Sequence, residues 1–295
     1  MSNYKAYLEK ESYSITTITS YLIEVDKFAK WCVKRKTTPT EIDYKSLLQY
    51  PKYLTRKGNS KKTINHKLGT LKSYFNYLIK ESYRVDNPAE SVVIKGVKRK
   101  LHYNLLEPEE LEDLYYSFES DNVADKYHKL CAKRNKVIVG LMVYQGLNTN
   151  TLIRLELEHI EVYKGKIQIP STTRTNAREL ELKPWQVIEL LEYIKEVREE
   201  IIRRKKIESE RLFIPNNARL GNTVQHILKK LKKVNHKVFN HHQIRASVIT
   251  NWTKQHNLRK VQYLSGHRYI SSTEQYLQDD LESMQEVINM HHPIS

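Results

Sequence analysis

The sequence predicts a mainly α chain. It should form a small N-terminal helical bundle and a larger, mostly helical second domain with a small β-hairpin. Three observations carry this. Glycine and proline number only eight each in 295 residues, so few segments are broken. Apolar residues recur at helical spacing over long stretches of the chain. Alternation at period two is convincing in one place only, residues 166–182.

The elements follow in order. Ser14 suits the N-cap of a helix opening at Ile15, whose Ile18, Tyr21, Leu22, Val25, Phe28 and Cys32 share one face. Ser60 suits a second cap, with Ile64, Leu68, Leu71, Phe75 and Leu78 on one face and Lys61, Lys62, Lys67 and Lys72 on the others. Both helices open Ser-x-x-Thr-Ile, which reads as two helices of one bundle spanning residues 1–94. Asn87-Pro88 is expected to stop the second helix. Residues 95–105 read as a basic linker, with Lys95, Lys98, Arg99 and Lys100 either solvated or strapped along phosphates. The second domain, 106–295, should open with a helix at Pro108 among acids. A buried helix is expected over Val137–Tyr144, ended by Gly146. Lys166–Pro170 and Arg178–Leu182 alternate as strands around a polar turn, Ser171–Asn176. Helices are then expected from about Trp185, from Thr223 (with Lys229, Lys230, Lys232 and Lys233 as a basic face), from His242, and over Leu258–Leu264.

Charge narrows the function. Fifty Lys and Arg against 34 Asp and Glu give a formal net charge of +16, which favours a polyanionic partner over a merely solvated basic surface. No apolar run reaches membrane-spanning length, and Met1-Ser2-Asn3-Tyr4-Lys5 lacks the apolar stretch of a signal peptide. Cys32 and Cys131 read as reduced cysteines of a cytosolic protein. The pairs His241-His242 and His291-His292 lack zinc-site spacing, so no metal is assigned. Most of the 20 tyrosines must be structural, so a functional tyrosine has to be identified by its neighbours.

Tyr276 has such neighbours. His242-Gln243-Ile244-Arg245 is followed by Leu264-Ser265-Gly266-His267, and Tyr276 stands nine residues beyond His267. This order, with Ser-x-x-Thr-Ile and Asn87-Pro88-Ala89 upstream, resembles the tyrosine recombinases of the phage-integrase family over nearly the whole chain. The resemblance implies a core-binding domain followed by a catalytic domain, and a DNA recombinase that cuts and rejoins strands through a 3′-phosphotyrosine without ATP, metal or other cofactor. It implies Tyr276 as nucleophile, Arg245 and His267 as donors to the non-bridging oxygens, and His242 as a phosphate ligand or proton-transfer group. The implied partners are duplex DNA with inverted half-sites, further copies of the chain forming a tetramer on that DNA, and a candidate DNA-bending accessory protein. The implied location is the cytoplasm, with the nucleoid. Helical pattern begins almost at residue 1, so no arm-binding domain is expected and a simple recombination site is implied. The apolar residues Leu281, Met284, Val287, Ile288 and Met290 of the tail would dock on a neighbouring subunit or pack on their own domain.

The pattern breaks at two places. Family members carry an arginine after Gly-Leu, where this chain has Gly146-Leu147-Asn148; they carry a lysine on the hairpin, where the turn here has none. Asn148 can donate a hydrogen bond but brings no charge, and losing one preorganised donor costs about 10²- to 10³-fold in rate. A compensating arginine is therefore expected: Arg174 at the turn tip first, Arg178 second, Arg154 third. The competing readings are a catalytically degenerate DNA-binding protein on the same fold and a relaxing topoisomerase of the same chemistry.

Overall fold

The structure is a computed structural model that describes residues 2–96, 104–120, 124–215 and 219–277. The chain forms two compact units, Met1–Lys100 and Leu101–Ser295.

The first unit is helical. It comprises α1 (Ser2–Lys10), α2 (Ile15–Val33), α3 (Tyr44–Leu47), α4 (Gln49–Arg56) and α5 (Lys61–Lys80). Ser14 and Ser60 cap α2 and α5 as expected, each side-chain oxygen accepting from an N–H one turn on, Thr17 and Thr63, at 3.2 Å. The α5 stripe Ile64, Leu68, Leu71, Phe75 and Leu78 is wholly buried; on α2, Ile18, Val25, Phe28 and Cys32 are buried. Phe28 is central, edge-on to Tyr50 at 5.0 Å and to Phe75 at 5.9 Å between ring centroids.

Asn87-Pro88 does not end α5. The helix stops at Lys80, where Ser82 turns to φ 59° and the chain closes back through Ser82 N–H to Ile79 O and Tyr83 N–H to Leu78 O. Asn87 instead ties the following turn to the helix, donating to Lys72 O at 3.1 Å and accepting from Ala89 N–H at 2.9 Å.

The second unit is built around one helix. Its order is α6 (Pro108–Tyr116), α7 (Lys126–Val143), α8 (Thr149–Arg154), β1 (Ile160–Glu161), β2 (Lys166–Ile169), β3 (Arg178–Glu181), α9 (Pro184–Glu192), a π turn (Tyr193–Val197), α10 (Arg198–Lys205), α11 (Leu220–Val234), α12 (His241–Gln255) and α13 (Leu258–Ser265). Helices α6, α9, α10, α11 and α12 pack around α7. α7 begins at Lys126, well before Val137, because polar residues disguise its first half. Arg134, Asn135 and Lys136 are buried there, with Arg134 donating to Ile214 O at 2.6 Å and Lys136 to Tyr115 O. The expected hairpin is present with Ile167 opposite Leu180 and Ile169 opposite Arg178. The short β1 adds a third antiparallel strand; two residues are too few for alternation to reveal.

Because both serine caps satisfy a first-turn N–H that would otherwise lose its partner, Ser60→Ala should lower unfolding free energy by about 1 kcal/mol. Urea denaturation should show the midpoint falling with an unchanged slope.

Candidate active site

Arg245 organises the site. It sits on α12, 8 % exposed, and its guanidinium donates to two carbonyls: Gly146 O at 2.6 Å and Ser265 O at 2.7 Å. These come from the turn after α7 and from the end of α13. Gly146 makes that turn at φ +57°, and a Cβ there would lie 3.2 Å from Val248 on α12. Burial lowers the Arg245 pKa below its ordinary value; a side-chain hydrogen bond with Tyr276 acts the other way.

Tyr276 and His267 face each other. Residues 271–277 are helical, and the Tyr276 ring stacks on His267 at 5.6 Å between centroids, 10° from parallel. His267 Nδ1 lies 2.9 Å from the hydroxyl of the fully buried Thr273. With that hydroxyl donating, a neutral ring carries its proton on Nε2. Burial, then the positive charges of Arg245 and Arg178, push the His267 pKa down to about 4, so the imidazole is neutral at neutral pH.

The hairpin is fastened to this region. Thr175 bridges His267, Asn176 N–H donates to Gly266 O at 3.1 Å, Arg268 donates to Thr173 O at 2.7 Å, and the Tyr263 hydroxyl accepts from Glu179 N–H at 3.0 Å. These bonds bring Arg178 inward, 4 % exposed. Its neighbour is Gly266, the left-handed cap of α13.

The other candidates are placed differently. Asn148 is the N-cap of α8, its side-chain oxygen accepting from Thr151 N–H at 2.9 Å. His242 is exposed one turn before Arg245, its ring 4.0 Å from that of His241. His241 is half-buried with Nδ1 unpartnered, and burial, then His242, lowers its pKa. Arg174 is exposed at the hairpin turn and Arg154 is exposed at the end of α8. Strand alternation puts Arg178 on the same face as the core residues Leu180 and Leu182, whereas Arg174 lies in the turn.

Of the lysines singled out on α5 and in the linker, Lys61, Lys62 and Lys95 are exposed. Lys67 is paired with the buried Glu24, and Lys72 with Glu90, both at 2.5 Å. Lys98, Arg99 and Lys100, and the tail beyond Leu277, lie outside the described residues. Among the described residues no group of three or more His, Cys, Asp or Glu could hold a metal ion, and no helix is long and apolar enough to cross a membrane.

His267 has a lowered folded pKa, so unfolding takes up a proton as pH falls through the ordinary histidine value. Stability is therefore lost from about 6.5 down to about 4, the values for the free and folded group. His267→Gln removes this loss. Thermal melts across that range should show the wild-type midpoint falling further than the variant's.

Comparison with known proteins identifies the family of the chain. Residues 104–282 match the phage integrase family, and residues 1–82 match the phage integrase N-terminal SAM-like domain. The chain is 27% identical to tyrosine recombinase XerC of Thermodesulfovibrio yellowstonii, over 95% of this chain and 91% of the relative. It is 26% identical to tyrosine recombinase XerD of Staphylococcus saprophyticus, over 95% and 93%. Among solved structures, the XerH site-specific recombinase bound to its difH substrate in a pre-cleavage complex shares the fold at a TM-score of 0.69 and 20% identity, covering 96% of this chain and 84% of that one. A lambda integrase (75–356) dimer bound to a COC′ core site shares it at 0.63 and 15% identity, covering 93% of each. With both of the family's domains matched in order along one chain, this protein belongs to the phage integrase family, the tyrosine recombinases.

Proposed function

We propose that this protein is a site-specific DNA recombinase that cleaves and rejoins duplex DNA through a 3′-phosphotyrosine on Tyr276. The observation that carries the reading is the contact of the Tyr276 side chain with both Arg245 and His267. A free phenol has a pKa near 10 and is a poor nucleophile unless positioned and assisted. Here its ring is oriented by the imidazole and its hydroxyl by the guanidinium.

In the proposed step the Tyr276 oxygen attacks phosphorus in line. The O–P bond forms, the bond to the 5′-oxygen breaks, the phenol loses its proton, and the 5′-oxygen takes one up to leave as a hydroxyl. Attack by the 5′-hydroxyl of another strand reverses the step and releases Tyr276, so bond energy is conserved and no cofactor is consumed. Arg245 presents donors to one non-bridging oxygen, with two backbone carbonyls holding it in place. Neutral His267 donates to the second through Nε2–H. His242 bonds the phosphate or assists proton transfer from one turn before Arg245. Phosphate charge offsets the two arginines beside His267, so substrate binding raises the histidine's pKa and favours proton uptake.

The DNA partner is supported by the +16 charge and by the exposed Lys61, Lys62 and Lys95. The relatives' names and the DNA-bound neighbours support the same assignment. We place the protein on paired inverted half-sites as a tetramer, with a DNA-bending protein as a candidate accessory. The second reading is a catalytically degenerate DNA-binding protein. It is favoured by Asn148, whose side-chain oxygen is committed to capping α8.

Covalent capture separates the two. Duplexes selected by the protein from a random pool, nicked at successive positions to trap the cleaved strand, should yield a protein–DNA adduct on denaturing gels. Tyr276→Phe should abolish the adduct while leaving DNA binding intact. Tight binding by the wild type with no adduct at any nick position would favour the degenerate reading.

A further inference from the structure

Arg178 is a buried cation with no structural explanation. Its Nε and Nη1 are buried without a hydrogen-bond partner. The other buried arginines of this unit are each satisfied by carbonyl oxygens: Arg134 by Ile214 O, Arg198 by Arg211 O, and Arg245 by Gly146 O and Ser265 O. After burial, the strongest influence on Arg178 is the positive charge of Arg245. Two guanidiniums and a neutral imidazole thus converge on one place, which is unfavourable unless an anion completes it.

The fold makes room for this arrangement. Strand alternation turns Arg178 inward, and the hairpin's bonds to Gly266, His267 and Arg268 hold the strand against the end of α13. The guanidinium lies directly over Gly266, where a Cβ would come within 2.1 Å of Nη1. The motif glycine therefore seats the arginine as well as permitting the φ of +70° at the helix cap. Arg174 and Arg154 have no comparable seat; both are exposed.

We propose that Arg178 supplies the positive charge that Asn148 lacks, binding a non-bridging oxygen of the scissile phosphate from the hairpin side while Arg245 binds from α12. This inference rests on the reading of the pocket as a strand-transfer site. The charge approaches from a different element than the family's first arginine, which frees the Asn148 position to serve as a helix cap. With its pKa lowered only to about 10, Arg178 remains cationic at neutral pH.

The test uses the full-length protein and the selected nicked duplexes. Arg178→Met keeps much of the side-chain volume and removes the charge. Adduct formation should fall about 10²- to 10³-fold while gel-shift binding persists. The melting temperature should hold or rise, because an unsatisfied buried charge has been removed. A duplex with a methylphosphonate at the scissile position has no charge to neutralise there, and it should narrow the gap between variant and wild type. Wild-type adduct rates in Arg178→Met would overturn the proposal. A lowered melting temperature with an unchanged methylphosphonate gap would likewise overturn it, marking Arg178 as structural. Loss in Arg174→Met but not in Arg178→Met would also overturn it, moving the charge to the turn. Absence of any wild-type adduct would instead remove the strand-transfer reading, and this inference with it.

Discussion

The candidate site depends on the pair of hydrogen bonds from Arg245 to Gly146 O and Ser265 O. Both terminal nitrogens of this buried guanidinium find acceptors, and these carbonyls come from segments far apart in the chain. The bonds tie α12 to the turn after α7 and to the end of α13, and the motif that follows α13 carries His267. One charged side chain thus acts as a clasp for three pieces of backbone. Its other neighbour is the side chain of Tyr276.

Around that clasp the electrostatics are unbalanced. Arg178, Arg245 and His267 lie close together, and the histidine responds by staying neutral, with its pKa near 4. An ordinary core would resolve such crowding with a carboxylate. The crowding suits the proposed phosphodiester, whose charge is largest in the transition state, because a preorganised cationic pocket favours that state over a neutral one. The stability sacrificed by holding unsatisfied donors is the expected cost of such preorganisation.

Asn148, where the resemblance implies an arginine, has a clear local role. Asparagine is among the best N-cap residues, and here it closes the first turn of α8. The neighbouring backbone still does its part, since Gly146 O holds Arg245 whatever residue stands at 148. The proposed transfer of charge to Arg178 therefore leaves the clasp unchanged.

The periodic elements were legible in the sequence. Ser14 and Ser60 mark helix starts by local hydrogen bonding, and the Ile64-to-Leu78 stripe marks a buried face by spacing, so neither needs distant contacts to be read. The hairpin was legible by alternation, and the His242-to-Tyr276 order pointed to the family. Elements with mixed signals were misjudged: the polar first half of α7, buried through carbonyl partners, and the end of α5, decided by the left-handed turn at Ser82 rather than by Asn87-Pro88. Position along the chain favours Arg174, at the turn tip, over Arg178. Composition and local pattern determined by themselves that this is a basic, two-part helical protein with a tyrosine in a particular company of side chains. Only the tertiary structure decided which arginine is enclosed beside Arg245 and which is left in solvent, because that depends on how the hairpin docks on Gly266 and His267, a contact between segments distant in sequence.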